Sequence, residues 1–93
     1  MQINSIKELI LSVLKNYPIK KAAIFGSFAR NEANDESDID LLIEPSKSIT
    51  IFDVLRLERD LSKVTSRKID VVEYTAIKSS IRSNILKDAI VIL

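Results

Sequence analysis

The sequence contains no cysteine and no histidine, and only one glycine and two prolines among its 93 residues. Without cysteine there is no disulfide framework, no thiol nucleophile and no thiolate-bound zinc, a composition suited to a reducing cytoplasm. Without histidine the Ser-His and Cys-His nucleophilic pairs are excluded as well. Carboxylates, lysine, tyrosine and bound metal ions remain to carry any chemistry. Net charge is also scarce: 14 basic and 13 acidic residues give +1, with no overall surplus to mark a nucleic-acid or membrane-surface binder. No apolar run approaches the roughly 20 residues of a membrane span. The N-terminal apolar stretch is interrupted by Lys7, Glu8 and Lys15, unlike a signal peptide. Neither membrane insertion nor direct nucleic-acid binding is expected, and the expected location is the cytoplasm.

What the chain has is aliphatic residues: 46% of it is hydrophobic and 29% charged, a globular composition. Its length fits one small domain over residues 1–93. Ile3, Ile6, Leu9, Ile10, Val13, Leu14 and Tyr17 recur at helical spacing until Pro18, which predicts a first helix. Ile19 to Phe25 reads as a strand that ends at Gly26, and Ser27 is placed to cap a short second helix to about Ala33. Residues 31–37 form a polar connection, and 38–44 a second strand closed by Pro45. Thr50 and Asp53 have the spacing of a capping box, opening a helix with an apolar stripe of Val54, Leu57, Leu61 and Val64. Lys68 to Tyr74 is a third strand, Ile77, Ile81 and Ile85 mark a fourth helix, and Ala89 to Leu93 a final strand. The order α-β-α-β-α-β-α-β predicts an α/β (α+β) layer architecture, about four helices packed on a mixed sheet of about four strands.

The chemistry concentrates in Gly26-Ser27 and in Ser37-Asp38-Ile39-Asp40. Asp38 and Asp40 stand two positions apart at the start of a strand, so they share a face and can share metal ions. Two such anions repel, and Mg²⁺ would hold both as carboxylates while keeping coordination positions for water and phosphate. An isolated Asp-x-Asp is ordinarily a pair of surface charges. Gly26-Ser27 alters that reading: a strand-to-helix turn presents backbone N–H groups, glycine allows close approach, and the hydroxyl can bond a phosphate oxygen. At roughly 6% per residue, two such fixed pairs coincide about once per 10⁵ starting positions.

Gly-Ser, ten residues, then Asp-x-Asp is the signature of the DNA polymerase β-like nucleotidyltransferase superfamily. The chain further resembles its minimal nucleotidyltransferase family over nearly the whole length, including Ala29-Arg30, Ser37 and the Ile-Asp-Val-Val of residues 69–72. Asn31 and Asp88-Ala89 stand where relatives often have glycine. The resemblance implies a third acidic ligand, at the matching position Asp70. It implies that Asp38, Asp40 and Asp70 are the catalytic, metal-holding carboxylates for two Mg²⁺ ions. Gly26, Ser27, Arg30 and Ser37 would then lie around the nucleotide, with the helix expected after Ser27 offering its start to the β- and γ-phosphates. The implied reaction moves a nucleoside monophosphate from a triphosphate, ATP, to an acceptor hydroxyl. In toxin-antitoxin pairs, such proteins are antitoxins that transfer AMP to a tyrosine of a HEPN-domain toxin, the partner expected here. Arg30 also fits a plain surface ion pair. Two rivals stand beside the transferase reading: a non-catalytic antitoxin that masks its partner, and, ranked last, a small-molecule nucleotidyltransferase needing an acceptor pocket that a chain this short hardly encloses. An apolar helix stripe left uncovered could serve a partner or a second copy in a homo-oligomer.

Overall fold

The computed structural model describes residues 3–30, 32–34 and 37–93, so that of the expected connection, residues 31, 35 and 36 lie outside the described residues. Among the described residues there are three helices and a four-stranded mixed sheet. The elements are α1 (Ile3–Leu14), β1 (Ile19–Phe25), β2 (Ile39–Pro45), α2 (Ile51–Thr65), β3 (Ile69–Glu73), α3 (Ser79–Asp88) and β4 (Ile90–Val91), with one 3₁₀ turn at Tyr74–Ala76. The strand order is β3-β2-β1-β4. β1 runs antiparallel to β2 and β4, and β2 runs parallel to β3, with α2 as the crossover that a parallel pair requires.

Alternation along the strands divides the sheet into two faces. Ala22 and Ile24, Ile39, Leu41 and Ile43, and Ile69 turn toward Ile6, Ile10 and Leu14 of α1 and Leu57 and Leu61 of α2, forming the main core. Among the described residues the opposite face buries only Ala23, Leu42 and Ile77, with Phe25, Val72, Tyr74, Ile85 and Ala89 packed partly against them. α3 lies over this second face and buries no residue fully.

The capping box is present: Thr50 Oγ1 accepts from Asp53 N at 3.2 Å and Asp53 Oδ2 accepts from Thr50 N at 2.9 Å. The phase of α2 differs from expectation at its end. Leu57, Leu61 and Thr65 are buried whereas Val64 is 38% exposed, because the Thr65 hydroxyl satisfies itself on Leu61 O at 2.8 Å and enters the core at little polar cost. Glu58 Oε2 accepts from Val71 N at 3.0 Å, so an α2 side chain caps a ladder donor on the edge strand β3.

Among the described residues the second helix expected after Ser27 is absent, and residues 26–30 are turns. Arg30 N donates to Gly26 O (3.1 Å), an α-type bond, but Glu32 N donates to Ser27 O (2.8 Å), one residue wider. The chain coils back without settling into the single repeating bond that a helix needs. β3 also stops a residue early, because Tyr74 begins the 3₁₀ turn. The last strand is regular only at Ile90–Val91, although Ile92 N and Leu93 N still reach Ala22 O at 2.9 and 3.2 Å.

Tyr17 closes α1 onto α2 by donating its hydroxyl to Asp60 Oδ2 at 2.6 Å. Burial first, then the bond to Asp60, pushes Tyr17 up to about 12, while the same bond holds Asp60 below the usual carboxylate range. A raised tyrosine stabilises the fold fully below its unfolded value of 10.0 and loses that contribution as pH climbs toward 12. The depressed Asp60 contributes above its unfolded value and is lost in acid. Tyr17→Phe is therefore expected to lower the urea midpoint by a constant amount between about pH 6 and 9, with the gap to wild type closing on the alkaline side. Urea titrations across that range, read by circular dichroism, check this.

Candidate active site

The two ladders bring three separate segments to one end of the sheet. Phe25, the last residue of β1, pairs with Asp40 near the start of β2, and Asp40 lies beside Asp70 near the start of β3. Because Ile39, Leu41, Ile69 and Val71 face the main core, Asp40 and Asp70 must face the opposite side, along with Leu42 and Val72. Asp38 precedes β2 and is exposed. Asp70 keeps 45% of its side chain in solvent, with Lys68 Nζ at 4.0 Å.

Asp40, like Asp70, is half buried. Burial first, then the charges of Asp70 and Asp38, push its carboxyl up, and Arg30 opposes the rise. Asp38 and Asp70 are thus both within electrostatic reach of Asp40. Among the described residues no three acidic side chains are gathered into a finished metal-ligand cluster. The donor set fits Mg²⁺ by chemistry: it offers hard carboxylate oxygens only, and the repulsion felt by Asp40 is what a divalent cation relieves.

Gly26 makes this geometry sterically feasible. Its φ of +72° is a left-handed conformation that L side chains rarely adopt. A Cβ there would lie well inside van der Waals contact of Asp40 Oδ2. The chain's one glycine therefore sits where the backbone of the β1 turn and the Asp40 carboxylate touch. Ser27 is half buried beside it, and its hydroxyl has no partner among the described residues. With no helix following, the donors available to an anion here are that hydroxyl and the N–H groups of a turn.

Arg30 is at the same end of the sheet, its Nε donating to Glu32 Oε1 at 3.0 Å in an exposed ion pair. Ser37 has a different task. Its Oγ accepts from Asn34 N at 2.8 Å and donates to Asn34 Oδ1 at 3.3 Å, which folds the loop upon itself just before Asp38. Arg67, which pattern reading missed, pins that loop. After Ser66 turns left-handed (φ 56°), Arg67 Nη1 donates to Asn34 O and Ser37 O at 2.9 and 3.0 Å, with its guanidinium 4.9 Å from the centroid of the Phe28 ring. One arginine thus ties the approach to Asp38 to the start of β3, which carries Asp70. Its partners lie about thirty residues away along the chain, so no local signal announces it.

The family model described as Polymerase beta, Nucleotidyltransferase matches residues 8–93. A Methanocaldococcus jannaschii protein, MJ0435, whose name gives protein adenylyltransferase as an inferred activity, is 39% identical over 93 residues, the whole of both chains. A solved structure assigned as a minimal nucleotidyltransferase superposes with a TM-score of 0.82 at 29% identity, covering 97% of this chain and 95% of that one. A chain from the complex of tri-AMPylated Shewanella oneidensis HEPN toxin with MNT antitoxin shares the fold, with a TM-score of 0.75 at 13% identity over 97% of this chain and 71% of its own. The chain belongs to the polymerase β nucleotidyltransferase family, and its activity class is nucleotidyl transfer.

Gly26→Ala isolates the contact between turn and carboxylate. The left-handed backbone and the overlap with Asp40 together should cost about 1–3 kcal/mol of stability, leaving the fold intact. They should weaken nucleotide binding by more than tenfold. Thermal melts beside titration calorimetry separate the two effects, and an alanine variant that binds as wild type does would show the glycine to be incidental.

Proposed function

We propose that the chain transfers AMP from ATP to a hydroxyl of a partner protein, a tyrosine of a HEPN-domain toxin, and that it acts as the antitoxin of such a pair in the cytoplasm. The observation that carries the reading is the register that sets Asp40 beside Asp70 and against the Gly26 turn. Support also comes from the adenylyltransferase name of MJ0435 and from the fold shared with the complex in which the HEPN toxin is tri-AMPylated.

In this reading Asp38, Asp40 and Asp70 hold the metal. Two Mg²⁺ ions, when bound, supply charge neutralisation at the phosphates and acidify the acceptor hydroxyl. Gly26 lets the triphosphate come close to the backbone, and the Ser27 hydroxyl and the turn N–H groups bond its non-bridging oxygens. Arg30, exposed and tied only to a neighbouring glutamate, can swing from Glu32 to a phosphate at small cost. Asp70, with nearly half of its side chain in solvent, faces the incoming hydroxyl and accepts its hydrogen bond. The acceptor oxygen bonds to the α-phosphorus as the bond from that phosphorus to the α–β bridging oxygen breaks. Pyrophosphate leaves, and the hydroxyl proton passes to Asp70 or to water. The chain's own contribution is chiefly positioning and electrostatics, as phosphoryl-type transfers require.

A second reading, the masking antitoxin, draws on apolar side chains left in solvent at the start of α2, Ile51 at 65% and Phe52 at 72% exposure. The measurement that separates the two is the intact mass of a HEPN partner co-expressed with this chain, beside a control carrying Asp38→Asn and Asp40→Asn. The expected outcome is one or more AMP units on a partner tyrosine, absent with the control, which also loses neutralisation. An unmodified partner held in a tight complex, neutralised equally by the control, would establish masking and overturn the transferase reading.

A further inference from the structure

The aspartates and the Gly26 turn account for phosphates and metal, and they leave the nucleoside without a seat. Beside them lies a cavity of about 390 Å³, ample for a purine nucleoside and within the lower range of small-ligand pockets. One side is the turn itself, through Gly26 and Arg30, and the other is α3. Gly26 therefore borders both the Asp40 carboxylate and this cavity. A triphosphate seated on the turn has the rest of its molecule at the cavity mouth.

Ile81, Asn84, Ile85 and Asp88 form the α3 wall, at spacings of three and four that make a single stripe on a helix. Its order along the helix matches a nucleotide. β4 pairs Ile90 with Ile24, which brings the end of α3 alongside the end of β1 and leaves Asp88 nearest the Gly26 turn. Asn84 lies one turn back, about 6 Å along the helix axis. Phe25 and Ile85 are half buried in the minor core, and Ile81 is 47% exposed, so an apolar surface is left around the position of Asn84. The side chains of Asn84 and Asp88 make no hydrogen bond or ion pair among the described residues.

We infer that this cavity holds the nucleoside of the triphosphate and that Asn84 selects adenine. The inference rests on the nucleotidyltransferase reading above and extends it to base recognition. Phosphates lie at Gly26 and Arg30, the ribose hydroxyls donate to the Asp88 carboxylate, and the base lies between Phe25, Ile81 and Ile85. The Asn84 carboxamide then meets the edge of adenine that carries N6 and N7, its oxygen accepting from the amino group while its nitrogen donates to N7. Guanine offers two acceptors there, O6 and N7, which leaves the amide oxygen facing a lone pair.

Titration calorimetry with Mg-ATP, Mg-GTP and Mg-tripolyphosphate tests this on the intact chain. Wild type should bind ATP more tightly than GTP or tripolyphosphate. Asn84→Ala is expected to weaken ATP about tenfold, abolish its advantage over GTP and leave tripolyphosphate unchanged. Ile81→Ser, at an exposed position, should weaken both nucleotides alike and spare tripolyphosphate. Wild type binding tripolyphosphate as tightly as ATP, or Asn84→Ala keeping its preference for ATP, would overturn the nucleoside pocket and leave the phosphate site standing. Failure of wild type to bind any of the three would overturn the nucleotidyltransferase reading, and this inference with it.

Discussion

The contact between the Asp40 carboxylate and the Cα of Gly26 is the constraint on which the arrangement of this molecule turns. It exists because β1 and β2 pair in a register that sets Phe25 opposite Asp40. Sliding that register by one residue would turn Asp40 into the main core and bring Ile39 and Leu41 out on the other face. The main core prevents the slip, because fully buried Ile24, Leu41 and Ile43 leave no tolerance for an anion among them. Hydrophobic packing on one face of the sheet thus fixes, to within a side chain, the electrostatics of the other.

That division of labour lets the molecule gather like charges. Three aspartates at one end of a sheet raise the free energy of the folded state, and Asp40 feels it through its neighbours. Compensation is distributed elsewhere: the Tyr17–Asp60 bond between α1 and α2 and the capping box at Thr50 stiffen the frame away from the acids, and Glu58 caps the ladder donor at Val71, next to Asp70. Arg67 works closer in. Bonding to backbone oxygens and lying on the Phe28 ring, it orders the loop before Asp38 without neutralising the carboxylates that a metal would need.

Much of this could be read in advance. The helices α1 and α2, the strands and the capping box follow from periodicity and from a two-residue cap signal, both local properties of the chain. Gly-Ser followed at fixed spacing by Asp-x-Asp pointed to the candidate site for the same reason, since each pair is a local feature of the chain. What local pattern could not carry was strand order, the partnership of Asp40 with Asp70, and Arg67, all of which depend on residues far apart along the chain. The short helix after Ser27 failed for a subtler cause. A serine after glycine is an N-cap signal, but the Glu32 N bond to Ser27 O widens the turn before a second helical turn can form. At the other end, Ile81 looked like core because its spacing was right, although the minor face is too narrow to cover it.

Because α3 leaves no residue fully buried, most of its positions, Ile85 and Arg82 apart, are weakly coupled to the stability of the fold. Surface substitutions on such a helix generally change stability by under about 0.5 kcal/mol. A lineage can therefore vary the exposed positions of this one element while the carboxylate frame beneath it stays as it is. In evolutionary terms α3 is where novelty is inexpensive, and descendants of this chain should diverge there first.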